Sequence, residues 1–557
     1  MLHLPISLKR GRTIPKPIVI LAVVAQFLFD GSITEVHELP LTRPGHQSRS
    51  VFNVIDFGAK GDGVALDTKA IQEAIDRCTL NGGKVLFPDG KFLTGSVVLR
   101  SNVEIYLSRG TVILGSTRLS DYQPHSPRTK SFNDSFLKYS LFYAEGVSNV
   151  SFEGNGTIDG QGSAFKVTTK KKPERYMNRP FVLRFVECRN VRVEGITLRN
   201  SAMWMQHYFG CRQVTIMGIK VFNHANQNND MIDIDGCSNV QILRCYGDTD
   251  DDGITLKSTS PLMDSNISVS DCIVSSHNNA VKLGTESTGG FKDVTISGIA
   301  IRPSAVKSVI FGKSDGICGV ALEVVDGGIM EGIKISNITM DSVEVPLFIR
   351  LGNRGRKYAQ NVPAPDVGSI SGISIDNVTA THVGSTGCSI TGIPGHNVKD
   401  ITLKNIRILA TGAGTLKDTN NVIPELVDNY PESTMWGKLP AYGFFIRHAD
   451  AVSLLHISLH YTGSEKRPAI VCDDVENSDL SDVTAACDPA ANSLFEFRDV
   501  RNMLVRNSRS LSNISRFLSI EGSNNAVIRL TGNDFTNVGT PFGGSGSNAV
   551  VSEGNTK

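Results

Sequence analysis

The chain lacks an excess of charge of either sign. Its 557 residues carry 56 Lys and Arg against 55 Asp and Glu, a formal net charge of +1. Nothing in that balance draws a polyanion, so neither nucleic acid nor an anionic membrane surface is an expected partner. Paired cysteines of the CxxC type are missing too. The ten cysteines lie singly between Cys78 and Cys487, and we expect few disulfides, no metal site and no cofactor. Beyond residue 29 no apolar run approaches the roughly 20 residues that a membrane-spanning helix needs. The single candidate, Ile18 to Phe29, is short and follows Lys9, Arg10, Arg12 and Lys16. Residues 1–36 therefore read as an export signal or short N-terminal anchor, and 37–50 as a linker, which predicts a secreted or periplasmic protein with no membrane span in its mature form. Low-complexity tracts and interdomain linkers are absent from the remainder. The 53 glycines are instead spread along the chain, as many turns between short strands require.

What is present is a repeat. Asn or Asp, a β-branched residue, a variable residue, a further apolar residue and then Gly or Asn recur as a unit. The unit appears as Asn149-Val-Ser-Phe-Glu-Gly, Asn190-Val-Arg-Val-Glu-Gly, Gln213-Val-Thr-Ile-Met-Gly, Asn239-Val-Gln-Ile and Asp293-Val-Thr-Ile-Ser-Gly. Copies in the middle of the chain are 23 and 26 residues apart. Each is a strand of about four residues with period 2, apolar inward and polar outward. Short strands at this spacing, with no helical periodicity between them, predict a solenoid. The leucine-rich repeat pattern and the four-strand propeller blade both fail to fit. An all-β, right-handed single-stranded parallel β-helix over residues 51–545 does fit, with 546–557 left as a tail. Cys188, Cys211 and Cys237 recur once per repeat and are expected to form a buried ladder. The amphipathic segment from Asp67 to Cys78 predicts an N-terminal capping helix with Asp67 as N-cap and Asn81-Gly82-Gly83 as its stop.

Carboxylates concentrate in two neighbouring stretches, Asn228-Asn229-Asp230-Met-Ile-Asp233-Ile-Asp235 and Asp248-Thr-Asp250-Asp251-Asp252 through Lys257. Aligning the inward residues Ile232 and Ile254 sets Asp230 level with Asp252, 22 residues later and one coil on. Stacked strands lie about 4.8 Å apart, so these two should stand side by side, with Asp251 out of phase. Charges crowded in this way raise at least one pKa. The cluster suits glycoside hydrolysis: two stacked carboxylates hold a water while the third, kept protonated, donates to the leaving oxygen. On the residues alone, a turn ladder of Asn and Asp or a calcium site explains the clustering equally well.

The segment Asp56-Phe-Gly-Ala-Lys-Gly-Asp-Gly, Phe87-Pro88-Asp89-Gly90, the Asn228-x-Asp230 motif and the Asp251-Asp252 pair resemble glycoside hydrolase family 28, the polygalacturonase and rhamnogalacturonase group. The resemblance spans about residues 51 to 460. It implies a β-helix hydrolase of pectin-type or related acidic polysaccharide working by single displacement. We expect the chain to act as a monomer. Asp251 would be the general acid, and Asp230 and Asp252 would activate water. Two departures bear on substrate. The family's His-Gly falls at Asn279-Ala280, with His277 two residues early. Its Arg-Ile-Lys falls at Ala321-Leu322-Glu323, which puts Glu323 in the place of the lysine.

A glutamate cannot pair with a uronate, so Lys257, Lys282 and the run from Arg350 through Arg354 to Arg356 are the candidate substitutes. Together with Asn228, His277, Asn279 and Glu323, the residues Lys257, Lys282 and Arg350 form the expected substrate-binding set. Insertions at 121–140, 165–180 and 410–445 suggest a groove closed at one end and exo action. Trp436 and Tyr442 in the last of these suit either sugar stacking or packing on the solenoid. Two other readings stay open on sequence: a β-helix polysaccharide lyase, and a carbohydrate-binding β-helix without turnover.

Overall fold

Asn102, Asn149, Asn190, Gln213 and Asn239, which open copies of the repeat, all have φ between 55° and 63°. That left-handed conformation is costly for most side chains and least so for Asn. It turns the chain at a corner of each coil and lets the amides stack. Asn190 Nδ2 donates to Asn149 Oδ1 at 2.8 Å, and Asn149 Nδ2 donates to Asn102 Oδ1 at 2.8 Å. The first residue of the repeat is thus both a corner and a rung of a ladder.

The computed structural model describes residues 50–133, 136–308 and 313–557. The export signal expected at 1–36, and the linker apart from Ser50, lie outside these described residues. From residue 51 onward the chain winds as a parallel β-helix. A middle coil comprises the strands Gln206–Phe209, Arg212–Met217 and Lys220–Asn223. Each pairs in parallel with its counterpart in the next coil: Ile232–Asp235, Ser238–Leu243 and Tyr246–Thr249. Further on, two of the three strands run together into longer ones such as Ile329–Asp341 and Ser369–Val383.

The register is the one that hydrophobic alternation demands. Val191, Val214, Val240, Ile267 and Val294 form one inward column, and Ile216, Ile242, Val269 and Ile296 another. All of these are buried. Each such side chain contributes about 1.5–3 kcal/mol through removal from water, and a one-residue slip would expose the whole column. Cys188, Cys211 and Cys237 lie in this interior, with Cys211 N–H donating to Cys237 Sγ at 3.2 Å. All ten cysteines are buried free thiols.

A helix, Thr68–Cys78, caps the N-terminal end and buries Ala70, Ile71, Ala74, Ile75 and Cys78. Asp67 occupies the N-cap position, but its carboxylate makes no cap bond. It accepts instead from the backbone N–H of Lys60 at 2.7 Å and of Gly61 at 3.1 Å, tying down the preceding turn. The C-terminal boundary also differs from expectation. Val550–Glu553 pairs in parallel with the strand Ala526–Thr531, so the solenoid continues through the segment read as a tail. No helix among the described residues is long and apolar enough to cross a membrane.

Candidate active site

Successive coils bring the aspartates together as the register arithmetic requires. Ile232 pairs with Ile254, and Met231 N–H donates to the carbonyl of Asp252 at 3.0 Å. Asp230 and Asp252 therefore precede level strands in adjacent coils. Both are almost fully buried, whereas Asp251 between them in sequence is partly exposed. All three line a cavity of about 560 Å³. Its walls come from all three insertions singled out in the sequence: Phe132, Asn133, Phe136 and Leu137 from the first, Lys172, Pro173, Arg175 and Tyr176 from the second and Tyr430 from the third.

Each aspartate has its own set of partners. Asp252 Oδ2 lies 3.0 Å from Lys282 Nζ, and its Oδ1 accepts from Asn279 Nδ2 at 2.7 Å and from Asn279 N–H at 3.2 Å. Burial alone would raise its pKa, but the lysines Lys282 and Lys257 and the Asn279 amide outweigh burial and bring it below the ordinary value. Asp251 Oδ1 accepts from Asn278 Nδ2 at 2.8 Å, and its Oδ2 accepts from Asn228 Nδ2 at 3.3 Å. Burial and the neighbouring Asp252 charge push Asp251 upward.

Asp230 is pushed well up by burial and by Asp233, against the opposing pull of Lys257. Lys257 Nζ stands 3.4 Å from Asp230 Oδ2 and 3.2 Å from Asp233 Oδ1, over the face of Trp204 at 4.6 Å from its centroid. Asp230 Oδ1 is buried and has no hydrogen-bond partner among the described residues. The paired column thus holds one ionised carboxylate, Asp252, and one that favours its proton, Asp230. Titration of the two is shared rather than independent.

Among the described residues, five cations reach the cavity: Lys172, Arg175, Lys257, Lys282 and Arg356. Lys257 and Lys282 are bound to the aspartates, and Arg356 is held by Glu286 at 2.6 Å and Asp326 at 2.9 Å. Arg175 donates to Gln227 Oε1 at 2.7 Å, and its Nε has no partner among the described residues. Lys172 is exposed, 5.7 Å above the Tyr430 ring.

Of the expected substrate-binding residues, Asn228, Lys257 and Lys282 line the cavity, and Asn279 supports Asp252 from beneath. Three do not belong there. His277 is turned aside, its Nδ1 3.0 Å from Asp250 Oδ1 and its Nε2 3.0 Å from the Val306 carbonyl. Arg350 is buried under the third insertion, donating to the carbonyls of Gly392, Glu425 and Leu426. Glu323 is buried outside the cavity lining, where desolvation raises its carboxyl to about 8 against the pull of Lys282. It therefore does not meet the substrate as a repelling charge.

Trp436 and Tyr442 pack rather than stack on sugar. Trp436 lies against Phe348 and Arg350, and Tyr442 is in the core. The residues that composition and spacing did not single out are Asn278, Arg179, Trp204 and Tyr430. Arg179 holds Asn228 at 2.9 Å and so aims it at Asp251. An Asn-Asn doublet one coil after Asp-Asp was the available signal for Asn278.

A parallel β-helix bearing a buried carboxylate cluster in a loop-walled cleft has the groups that glycoside hydrolysis uses. The model of glycosyl hydrolases family 28 matches residues 84–427, and the chain belongs to that family. It is 28% identical over 375 residues to the "Probable polygalacturonase" of Vitis vinifera, covering 64% of this chain and 74% of that one. It is 24% identical over 439 residues to an exopolygalacturonase of Zea mays, covering 77% and 88%. Among solved structures it is similar to the hyperthermoactive exopolygalacturonase of Thermotoga maritima, with TM-score 0.54, 25% identity and coverage of 65% and 87%.

Proposed function

We propose that the chain hydrolyses an acidic, pectin-type polysaccharide from one end, by a single inverting displacement. One observation carries the division of roles: Asp252, level with Asp230 in one column, is held ionised by Lys282 and Asn279, while Asp251 stands outside that column with its pKa pushed upward by burial and by Asp252. Asp251 donates that proton to the glycosidic oxygen as the bond to the leaving sugar breaks. A water held by Asp230 and Asp252 attacks the anomeric carbon from the opposite side, and its proton passes to the ionised member of the pair. Before the step the pair holds one proton, and after it two.

Lys172 and Arg175 support an anionic sugar, because they are the cavity cations that no carboxylate of the cavity holds. The family's gripping Lys is replaced by Glu323, so the charge that receives a uronate has moved to the second insertion. Walls from three insertions support exo action. Such a polymer is met outside the cell, which agrees with an export signal at residues 1–36 and with action as a single chain.

The test is release of reducing ends from polygalacturonate, its methyl ester and a neutral glucan, by the wild type and by Asp251→Asn. The proposal expects monomeric or short product from the acidic polymer alone. It expects a loss of roughly 10²–10⁴-fold in Asp251→Asn, the range for a positioned proton donor. Equal turnover of the neutral glucan, or an active Asp251→Asn, would contradict it.

A further inference from the structure

A second cluster of chemical groups lies one residue along the chain from Asp251, turned away from the cavity. We propose that His224, Asp250 and His277 form a binding site for a divalent transition-metal cation of the zinc type.

Their placement follows from the coil register. Asn223 pairs with Thr249 and Thr249 with Ser276, so the next residues, His224, Asp250 and His277, stand level in three successive coils. The outer nitrogen of each imidazole is committed to an acceptor. His277 Nε2 lies 3.0 Å from the Val306 carbonyl, which can only accept, so Nε2 carries the hydrogen. His224 Nε2 lies 2.8 Å from Asp248 Oδ1, and that carboxylate is itself fixed by Ser304 Oγ at 2.6 Å and Ala305 N–H at 2.9 Å. Both Nδ1 atoms therefore turn inward on the same oxygen. His277 Nδ1 is 3.0 Å and His224 Nδ1 3.9 Å from Asp250 Oδ1, and the three donor atoms lie within 4.8 Å of one another. The ring centroids are 5.2 Å apart although the residues are two coils apart, since both lean toward the middle coil.

The side chains of Asp250 and His277 are 0% exposed and that of His224 is 7% exposed. His224 Nδ1 is closed to solvent and makes no hydrogen bond to any described residue. A buried imidazole nitrogen aimed at a carboxylate, with the opposite N–H held by a carboxylate or carbonyl, is the arrangement that metal-bound histidines adopt. Donors at 2.0–2.2 Å around a tetrahedral zinc are about 3.3–3.5 Å apart, and the observed 3.0 and 3.9 Å bracket that span. Two imidazoles and one carboxylate favour zinc-type ions over magnesium or calcium, which prefer all-oxygen sets. Bound there, the cation braces three coils beneath the turn that carries Asp251, where Thr249 Oγ1 donates to the Asp251 carbonyl at 3.1 Å.

The experiment uses the tag-free chain, stripped with a chelator and titrated with Co²⁺ and then Zn²⁺. One saturable Co²⁺ per chain is expected, with a visible absorption band that Zn²⁺ displaces, and with a rise in melting temperature. His224→Gln and His277→Gln should each weaken binding by at least about 100-fold, more than loss of an outer partner does, while Asp230→Asn should bind as the wild type. No visible band in the folded wild type would overturn the site in favour of a protonated His–Asp network. So would a band that survives in the double variant. If His277→Gln fails to fold, His224→Gln decides alone, since its Nδ1 makes no bond that folding needs: loss of the band supports the site and its survival overturns it.

Discussion

Lys282 Nζ stands 3.0 Å from Asp252 Oδ2, with both side chains almost closed to solvent. The ammonium is the main force holding Asp252 ionised against the cost of burial. Replacing it by Met should raise the Asp252 pKa, since a cation within 4–6 Å lowers a carboxylate by about 1–3 units. Asp252 must be ionised to take a proton from water, so activity appears as pH rises through its pKa. The acid limb of the kcat/KM profile of Lys282→Met should therefore move up by about one unit or more. A profile with an unmoved acid limb would show that Asp252 is not the accepting group.

The alkaline limb is governed from the other side of the site. Asn278 Nδ2 donates to Asp251 Oδ1 and so favours the ionised form of a carboxyl that burial and Asp252 push upward. Asn278→Ala removes that donor, so Asp251 should keep its proton to higher pH. The alkaline limb should shift upward by about one unit, the worth of one charge-assisted hydrogen bond, while the acid limb stays in place.

Lys172 and Arg175 line the cavity and form no ion pair with Asp230, Asp251 or Asp252 among the described residues. Each Ala substitution should raise KM for an acidic polymer by roughly two- to fivefold, as partly exposed charge pairs do, with kcat little changed. Added salt should erase the difference. A fall in kcat without a change in KM would contradict their role as substrate cations.

The third insertion is anchored by a buried ion pair. Arg467 Nη2 meets Glu465 Oε2 at 2.7 Å, and its Nη1 donates to the carbonyls of Leu439 at 2.9 Å and Ala441 at 3.3 Å. Arg467→Met leaves Glu465 buried and unpaired and should cost about 3–5 kcal/mol in urea unfolding. Replacing both residues by apolar ones should restore part of that loss.

Most of the fold was legible because a solenoid repeats its physics. A corner residue that tolerates positive φ, two inward apolar positions and a stop recur often enough for register to be counted, and the count from Ile232 to Ile254 set Asp230 beside Asp252. The aspartates and the lysines Lys257 and Lys282 sit in or next to strands, where parity fixes direction. His277 follows the strand Ile273–Ser276 at a corner, where the alternation of a strand no longer tells which way a side chain turns. Arg350 was misplaced for another reason: it does face outward on a strand, but the third insertion folds over it, and no local pattern says where a loop some 75 residues later will lie. Tyr430 reaches the cavity from that same loop. The tail was misread because its strand, Val550–Glu553, is only four residues long, too short for its alternation to stand out.

The stereochemistry of the first product tests the division of labour most directly. Proton NMR of wild-type enzyme acting on α-linked polygalacturonate should show the β-anomer first, followed by slow mutarotation, because water held by Asp230 and Asp252 attacks opposite the bond that Asp251 protonates. First appearance of the α-anomer would mean that a carboxylate attacks the sugar itself. An unsaturated product would mean elimination instead of hydrolysis. Either result would contradict the account.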